Sequence, residues 1–491
     1  MRHPGRAFRR GPLRGLIARL PSRVLAPVAA SPLADGIGTA FVSTGAPTLV
    51  PSPASAGDLP VADTAPPRHR GRLGRPRSIR AFEALNARPF RWFFVSMMGQ
   101  FSAMHMQMVV TPYLVYELTG SYAALGAMSL GNAIPGVLLG FFGGVVADRA
   151  PKKLVVQIGQ AINALFTLGL ALLALAGELR FEHLFIASAG QGAVFAIMGP
   201  ARQALIAEIV GPARLTNAVA LNMSGMNVTR MGVPALGGLL IAVISPAGVY
   251  FVMTAMMIVS IVGLLPVRAY VPADGEEAVE PDLDRSQTAR GIAAGLRDIA
   301  DGLRYVRREP QISALLAVNF FIVLMSMPYM QMMAGFVKDV LGAGPGQLGL
   351  LLSITGVGSL AGSLAIASMP NRGRGRVYLL SSLLLGAALV VFAASSWLWL
   401  TALVMIVIGV GQAGRMSLSN VLLMSYTRRA YQGRVMSLHM MEFSLVSFGT
   451  FLVGILAAVI GVQLAIGGTA VALVLVTLYC LRYAPRVRDL P

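Results

Sequence analysis

The chain has 491 residues, 55% of them hydrophobic and only 12% charged, with a net charge of +19 and a mean hydropathy of +0.69. A soluble domain carries about 25% charged residues, so this composition excludes a large water-soluble enzyme and points to the lipid bilayer. The positive excess alone would suit nucleic acid, but it lies in an N-terminal tail and in short loops between apolar stretches, which argues against a nucleic-acid partner.

Residues 1–85 are rich in Arg, Pro, Ala, Gly and Ser, without sustained periodicity, and read as a disordered tail. The stretch Leu25 to Val50 is interrupted by Pro27, Pro32, Asp35 and Pro47, so it lacks the apolar run of a signal peptide. Arg9-Arg10 likewise lacks the apolar run that a twin-arginine signal needs. An inert tail, a start placed too far upstream and an Arg-rich transit peptide all remain open.

About 20 apolar residues cross the ~30 Å hydrocarbon core of a bilayer. Twelve such spans are predicted, at 92–117, 122–146, 153–177, 181–207, 215–244, 248–270, 311–337, 347–370, 376–396, 398–426, 433–459 and 461–482. The only cysteine, Cys480, lies in the last of them, so no internal disulfide is possible. The one long polar segment, Val271 to Pro310, begins acidic. It then places Ile292, Leu296, Ile299, Leu303 and Val306 at helical spacing, beside Arg290, Arg297, Arg304 and Arg307. That is an amphipathic helix for a membrane surface or a solvated linker.

Inward loops hold Arg149, Lys152, Lys153, Arg214, Arg372, Arg374, Arg376, Arg428, Arg429 and Arg434, whereas outward loops hold only Arg180 and Lys338, each beside acidic residues. The positive-inside rule then places both termini in the cytoplasm of a multi-pass plasma-membrane protein. Trp397 and Trp399 fall at the outer interface. The halves repeat weakly: Leu118 to Gly126 matches Val340 to Gly349, and Asp148-Arg149 to Lys153 matches Asn371-Arg372 to Arg376. The expected fold is an all-α membrane protein, with twelve transmembrane helices in two pseudo-symmetric six-helix bundles around a midplane cavity. The bundles cover 86–271 and 311–485, joined by a cytoplasmic linker over 272–310 and followed by a cytoplasmic tail over 486–491.

The joint Gly144-Val-Val-Ala-Asp148-Arg149-Ala-Pro-Lys152-Lys153 resembles the loop signature between the second and third helices of the major facilitator superfamily. LVYELTGSYAALG, GPARQALIAEIVGPARLTNAVALN and YQGRVMSL are similar to its exporter subgroup of enterobactin and macrolide efflux carriers. The resemblance covers roughly residues 88 to 485. It implies transport by alternating access. It also implies a conformational latch of Gly144, Asp148, Arg149, Lys152 and Lys153 against the start of the eleventh helix near Arg434. Alternatively, the basic residues of this joint merely fix topology. In one departure, Val233 stands in Gly232-Val-Pro-Ala-Leu-Gly-Gly238 where antiporters carry glycine, which weakens the antiporter inference.

Ionisable side chains at membrane depth are costly and usually functional or paired. Arg230, near midplane, suits an anionic substrate group or a buried carboxylate, unless it bonds backbone carbonyls. Arg202 and Glu208, toward the inner end of the fourth span, suit a structural ion pair with the inner loops. Glu442, His439 and Arg415 suit a coupling proton, unless Arg415 and Glu442 form a permanent salt bridge. His105 reads first as a satisfied interior histidine. Gln107, Asn222 and Asn319 supply sparse polar contacts. Methionine clusters at Met97 to Met108 and Met325 to Met333 suit a pocket for varied apolar ligands, or fill gaps.

No phosphate loop, metal spacing or nucleophile elbow is present, so no catalytic residue, metal site or cofactor is predicted. The expected activity is secondary active export of small amphipathic or hydrophobic molecules by a monomer, with protons as the coupling ion. An uptake carrier or lysophospholipid flippase of the same fold, and a non-transporting receptor or scaffold, stand as alternatives.

Overall fold

A computed structural model describes residues 80–268, 292–370 and 372–490. Residues 1–79, and most of the acidic linker, lie outside the described residues. A short 3₁₀ turn, Arg80–Asn86, opens the described chain. Here the sequence reading of a tail to residue 85 is corrected. Ala84 is fully buried, and its amide donates to Asn217 Oδ1 at 2.8 Å.

Three helices follow: α1 (Arg88–Thr119), α2 (Tyr122–Arg149) and α3 (Lys152–Leu175). The α1–α2 turn is written in Gly120-Ser121. Gly120 takes the left-handed conformation (φ 59°) and returns its amide to Tyr116 O at 2.8 Å. Ser121 Oγ then caps α2 by accepting from the Ala124 amide.

A helical stretch, Phe181–Leu264, is broken by positive φ at Gly211 (66°) and Ser245 (70°). The pieces are α4 (181–210), α5 (212–244) and α6 (246–264). Each break is followed by proline, Pro212 and Pro246, which suits the first position of a new helix because its missing N–H is not needed there. Ser245 is the sole non-glycine residue with positive φ among the described residues.

The linker helix α7 (Ile292–Arg308) precedes α8 (Pro310–Ser326) and α9 (Pro328–Asp339). The predicted span 311–337 is thus two helices. Pro328 lacks the N–H that would continue α8, and its ring clashes with the preceding turn. Then come α10 (Pro345–Ser368), α11 (Arg374–Ala394), α12 (Leu398–Tyr426), α13 (Gln432–Ile460), α14 (Val462–Tyr483) and the short α15 (Pro485–Arg488).

Among the described residues, nine stretches are long and apolar enough to cross a membrane, one of them being the two-helix stretch Arg214–Leu264. Their outward faces expose Leu165, Val243 and Leu475, as lipid contact requires, and Trp397 and Trp399 are exposed at one end of the helices. Under the positive-inside assignment, the end carrying the turns at Gly120, Ser245 and Gly342 is the outer one.

Small residues let helices from the two halves of the chain approach closely. A methyl group on Gly238 of α5 would meet the Gly349 Cα of α10 at 3.0 Å. One on Gly454 of α13 would meet the Gly126 Cα of α2 at the same distance. Both pairs lie in the outer halves of their helices.

The linker helix α7 docks on protein. Tyr305 stacks on Tyr431 with ring centroids 4.1 Å apart, Val306 is buried, and Gly302 lies against Arg434 at the start of α13. The C-terminal segment expected as a cytoplasmic tail over 486–491 packs on protein as well. Val487 and Leu490 are buried, and the Gly375 amide of α11 donates to Leu490 O at 3.0 Å.

Candidate functional site

At the outer end, the hydroxyls of Tyr116 and Tyr122 both donate to Asp339 Oδ2 at the end of α9, Tyr122 at 2.9 Å. The two rings lie 4.9 Å apart, and Lys338 pairs with Glu117 at 2.9 Å. One turn or two deeper, Gln331 Nε2 donates to Ser129 Oγ at 3.1 Å. These contacts clasp α1 and α2 to α9. Sequence reasoning counted Lys338 only as an outward charge. The available signal was the opposite charges at matching places of the repeat, Glu117 before one turn and Lys338-Asp339 before the other.

Below the clasp, α5 meets α10. Pro234 cannot donate to the Arg230 carbonyl, and the Ala235 amide donates to Ser353 Oγ at 2.8 Å. Gly356 of α10 faces the Met231 backbone. The Gly232-to-Gly238 stretch, with buried Val233 in place of glycine, is thus a packing seam between the halves.

Near midplane stand His105 of α1, Arg230 of α5 and Tyr329 of α9, each about 26–28 Å above the inner start of its helix or, for α9, of α8 before it. The His105 Nδ1 lies 2.8 Å from the Phe101 carbonyl and 3.2 Å from the Thr229 hydroxyl, so the ring is held as an interior histidine. Arg230 makes no hydrogen bond and no ion pair among the described residues, although it is near enough to His105 and Tyr329 to act on both electrostatically. Of its predicted roles, bonding to backbone carbonyls and pairing with a carboxylate therefore find no partner there. Tyr329 is 2% exposed, and its hydroxyl has no hydrogen-bond partner among the described residues. Gln107 is paired with Gln191 of α4, and the buried Asn222 leaves its Oδ1 unbonded among the described residues.

Arg202 and Glu208, expected as an inner ion pair, do not meet, and Glu208 pairs with Lys152. Arg202 instead stacks over Phe101 and Phe195, with its guanidinium carbon 5.3 and 6.0 Å from the ring centroids. Six residues turn a helix through about 600°, which puts the two side chains on different faces. Lys153 donates to the Leu265 and Val267 carbonyls at 2.7 and 2.9 Å, satisfying acceptors at the C-cap of α6 and in the chain just past it.

Of the latch residues, the side chains at Asp148 and Arg149, and the surroundings of Gly144, lie outside the described residues. Arg434 sits over the Tyr431 ring at 5.5 Å.

In the second half, Arg415 of α12 is 1% exposed and donates from Nη1 to Asn319 Oδ1 at 3.2 Å. Asn319 of α8 also accepts from Tyr378 of α11 at 3.2 Å, and its amide lies 3.4 Å from His439 Nδ1 of α13. Arg415 and His439 are thereby joined through Asn319, while the side chain of Glu442 lies outside the described residues. Methionines divide. Met97, Met106, Met332 and Met333 are buried, whereas Met108 is exposed. Met98 and Met198 press their sulfurs against Gly225 and Gly159, which is gap-filling.

A family model described as transmembrane secretion effector matches residues 79–490. The chain is 24% identical over 290 residues to the uncharacterized major facilitator-type transporter YfiS of Bacillus subtilis (strain 168), covering 58% of this chain and 64% of that protein. It is 21% identical over 342 residues to the staphyloferrin A transporter of Staphylococcus aureus (strain NCTC 8325 / PS 47), covering 69% and 82%. Among solved structures, the nucleoside transporter NupG superposes with a TM-score of 0.63 at 14% identity, covering 80% of this chain and 98% of that one. An inward-facing bacterial homolog of the human lysosomal transporter Spinster gives 0.62 at 13%, covering 84% and 98%. At these identities the structures speak for the fold alone.

Proposed function

The chain belongs to the transmembrane secretion effector family of major facilitator transporters, and on that premise we propose that it exports small amphipathic molecules by proton-coupled alternating access. The substrate class is of drug or siderophore type. The siderophore half of that class is supported by the likeness to the staphyloferrin A transporter.

The observation that carries the reading is the outer clasp. Tyr116, Tyr122, Asp339, Glu117 and Lys338 tie the halves together at the outer end, and the glycine pairs Gly238–Gly349 and Gly126–Gly454 pack them just beneath. A carrier held shut outside loads from the inside. Proton coupling is assigned to the buried group around Asn319. His439 supplies an imidazole to this group, and Glu442 lies three residues, about one helical turn, further along α13. Protonation there would alter the contacts that join α8, α11, α12 and α13. The inner latch of Asp148 with the start of α13 completes the proposed cycle.

Everted membrane vesicles energised with an inward-acid gradient test this reading. Vesicles holding the protein should accumulate lipophilic dyes or carboxylate chelators above protein-free vesicles, and Glu442→Gln should abolish the gradient dependence. Equal accumulation with and without the protein would overturn export.

A further inference from the structure

We infer that Arg230 and Tyr329 form the docking point for a single anionic group of the substrate, a carboxylate, sulfonate or phosphate borne on an apolar body. This inference rests on the export reading above and narrows its substrate class to amphipathic organic anions.

Three observations converge. First, Arg230 is a half-buried basic side chain at membrane depth, and no hydrogen bond or ion pair joins it to a described residue. Such a charge is expensive in a low-dielectric setting unless something neutralises it. Second, the Tyr329 hydroxyl is buried at the same depth with no partner, yet buried polar groups are nearly always bonded. Arg230 is near enough to act on it electrostatically. A guanidinium and a phenol O–H within electrostatic reach of each other offer donors to an anion, which is the recognition chemistry of an oxyanion.

Third, the described charges on the first-half side of the site, at and inward of its depth, are basic until the helix ends. Arg202 lies about 12 Å from the inner end of α4, stacked on Phe101 and Phe195 without a carboxylate partner. The carboxylates from α1 to α6 with described side chains, Glu117, Glu178, Glu182 and Glu208, stand at helix ends or in the loop between helices rather than at this depth. An anion entering from inside would therefore pass Arg202 and meet Arg230. The two faces of the site also come from different halves, Arg230 from α5 and Tyr329 from α9. An anion bound between them is held by both, and its binding responds to their relative movement.

The test uses the purified full chain and three probes that share one fluorophore: dansyl-glycine (anionic), dansylamide (neutral) and a dansyl-ethylenediamine (cationic). Binding is read by fluorescence and transport in everted vesicles. Wild type should bind dansyl-glycine at least tenfold more tightly than either other probe. Arg230→Ala should erase that preference, Arg230→Lys should retain part of it, and Tyr329→Phe, which keeps the ring and the packing, should weaken it severalfold. Melting temperature and elution volume identify any variant that fails to fold, and Tyr329→Phe then carries the test.

If the neutral or cationic probe is bound and transported as well as the anion, and Arg230→Lys and Tyr329→Phe alter nothing, the anion site is overturned while the export reading survives. If wild type neither binds nor transports any of the three, both fail.

Discussion

Tyr122 at the start of α2 donates its hydroxyl to Asp339 at the end of α9, 217 positions later in the chain, at 2.9 Å. Tyr116 donates to the same carboxylate oxygen, so one anion collects two phenols. A hydrogen bond to a charged acceptor contributes about 1.5–3 kcal/mol. Replacing the carboxylate with an amide should therefore shift the balance toward an open outer end by about 2 kcal/mol, more than tenfold in population. Ser129 lies under this clasp and is buried. In a Cys480→Ala background, Ser129→Cys should react slowly with a membrane-impermeant maleimide applied outside. Adding Asp339→Asn should raise that rate at least tenfold, and an unchanged rate would refute the clasp.

The glycine seam gives a second expectation. Gly238→Ala would drive a methyl against the Pro345 carbonyl and the Gly349 Cα, both backbone atoms that cannot swing aside. Overpacking of this kind costs about 1–3 kcal/mol. The detergent-solubilised variant should melt several degrees lower and lose transport. Gly140→Ala is the control, since open space surrounds that position and no loss is expected. Equal melting of the two variants would show that the halves do not touch as described.

Much of the helical layout was legible because lipid demands it. Apolar runs of about 20 residues leave little choice of structure, and Gly-Pro and Ser-Pro at 211–212 and 245–246 mark where the chain turns. The break at Met327 was legible too, in Pro328, but hydropathy alone hides it inside one apolar run. What stayed hidden depends on partners distant in sequence. Nothing local says that Asp339 will face Tyr122, or that Asn319 will join Arg415 to His439. Lys153 reads as a topology charge, yet it serves two carbonyls just past the end of α6, more than a hundred residues away. The separate fates of Arg202 and Glu208 were within reach, because a spacing of six residues already argues against a shared face.

The Asn319 hub separates stability from coupling. Arg415 is almost wholly buried, so Arg415→Ala should destabilise the protein by about 3 kcal/mol, as removal of a buried bonded charge does. Arg415→Lys should recover only part of this, because an ammonium cannot reproduce the planar fork. His439→Gln keeps a polar side chain of similar reach but cannot take up a proton. It should leave probe binding within threefold of wild type and cut gradient-driven accumulation at least tenfold. If binding and accumulation fall together, His439 belongs to packing and not to coupling.

The docked C-terminus supplies a pH test outside the membrane. The Arg488 guanidinium bonds Asp489 through two contacts of 2.9 Å, and Arg376 of α11 adds a third at 3.3 Å. With Arg488 first and Arg376 second, these bonds hold the Asp489 carboxyl down to about 2 from its usual 3.8. A depressed carboxyl contributes its stabilisation above its unfolded value and loses it as the pH falls toward the folded one. The Arg376–Asp489 contact should therefore hold at pH 5 and above, and weaken between about 3.8 and about 2. The Gly375 amide, bonded to Leu490 O, reports on it. Its hydrogen-exchange protection, corrected for intrinsic rates, should fall across that window and should already be reduced at pH 7 in Asp489→Asn. Because the pair is exposed, the change should be modest and should shrink further in high salt. Protection that is flat from pH 5 to pH 2 and unaffected by Asp489→Asn would show that Val487 and Leu490, through burial alone, hold the tail in place.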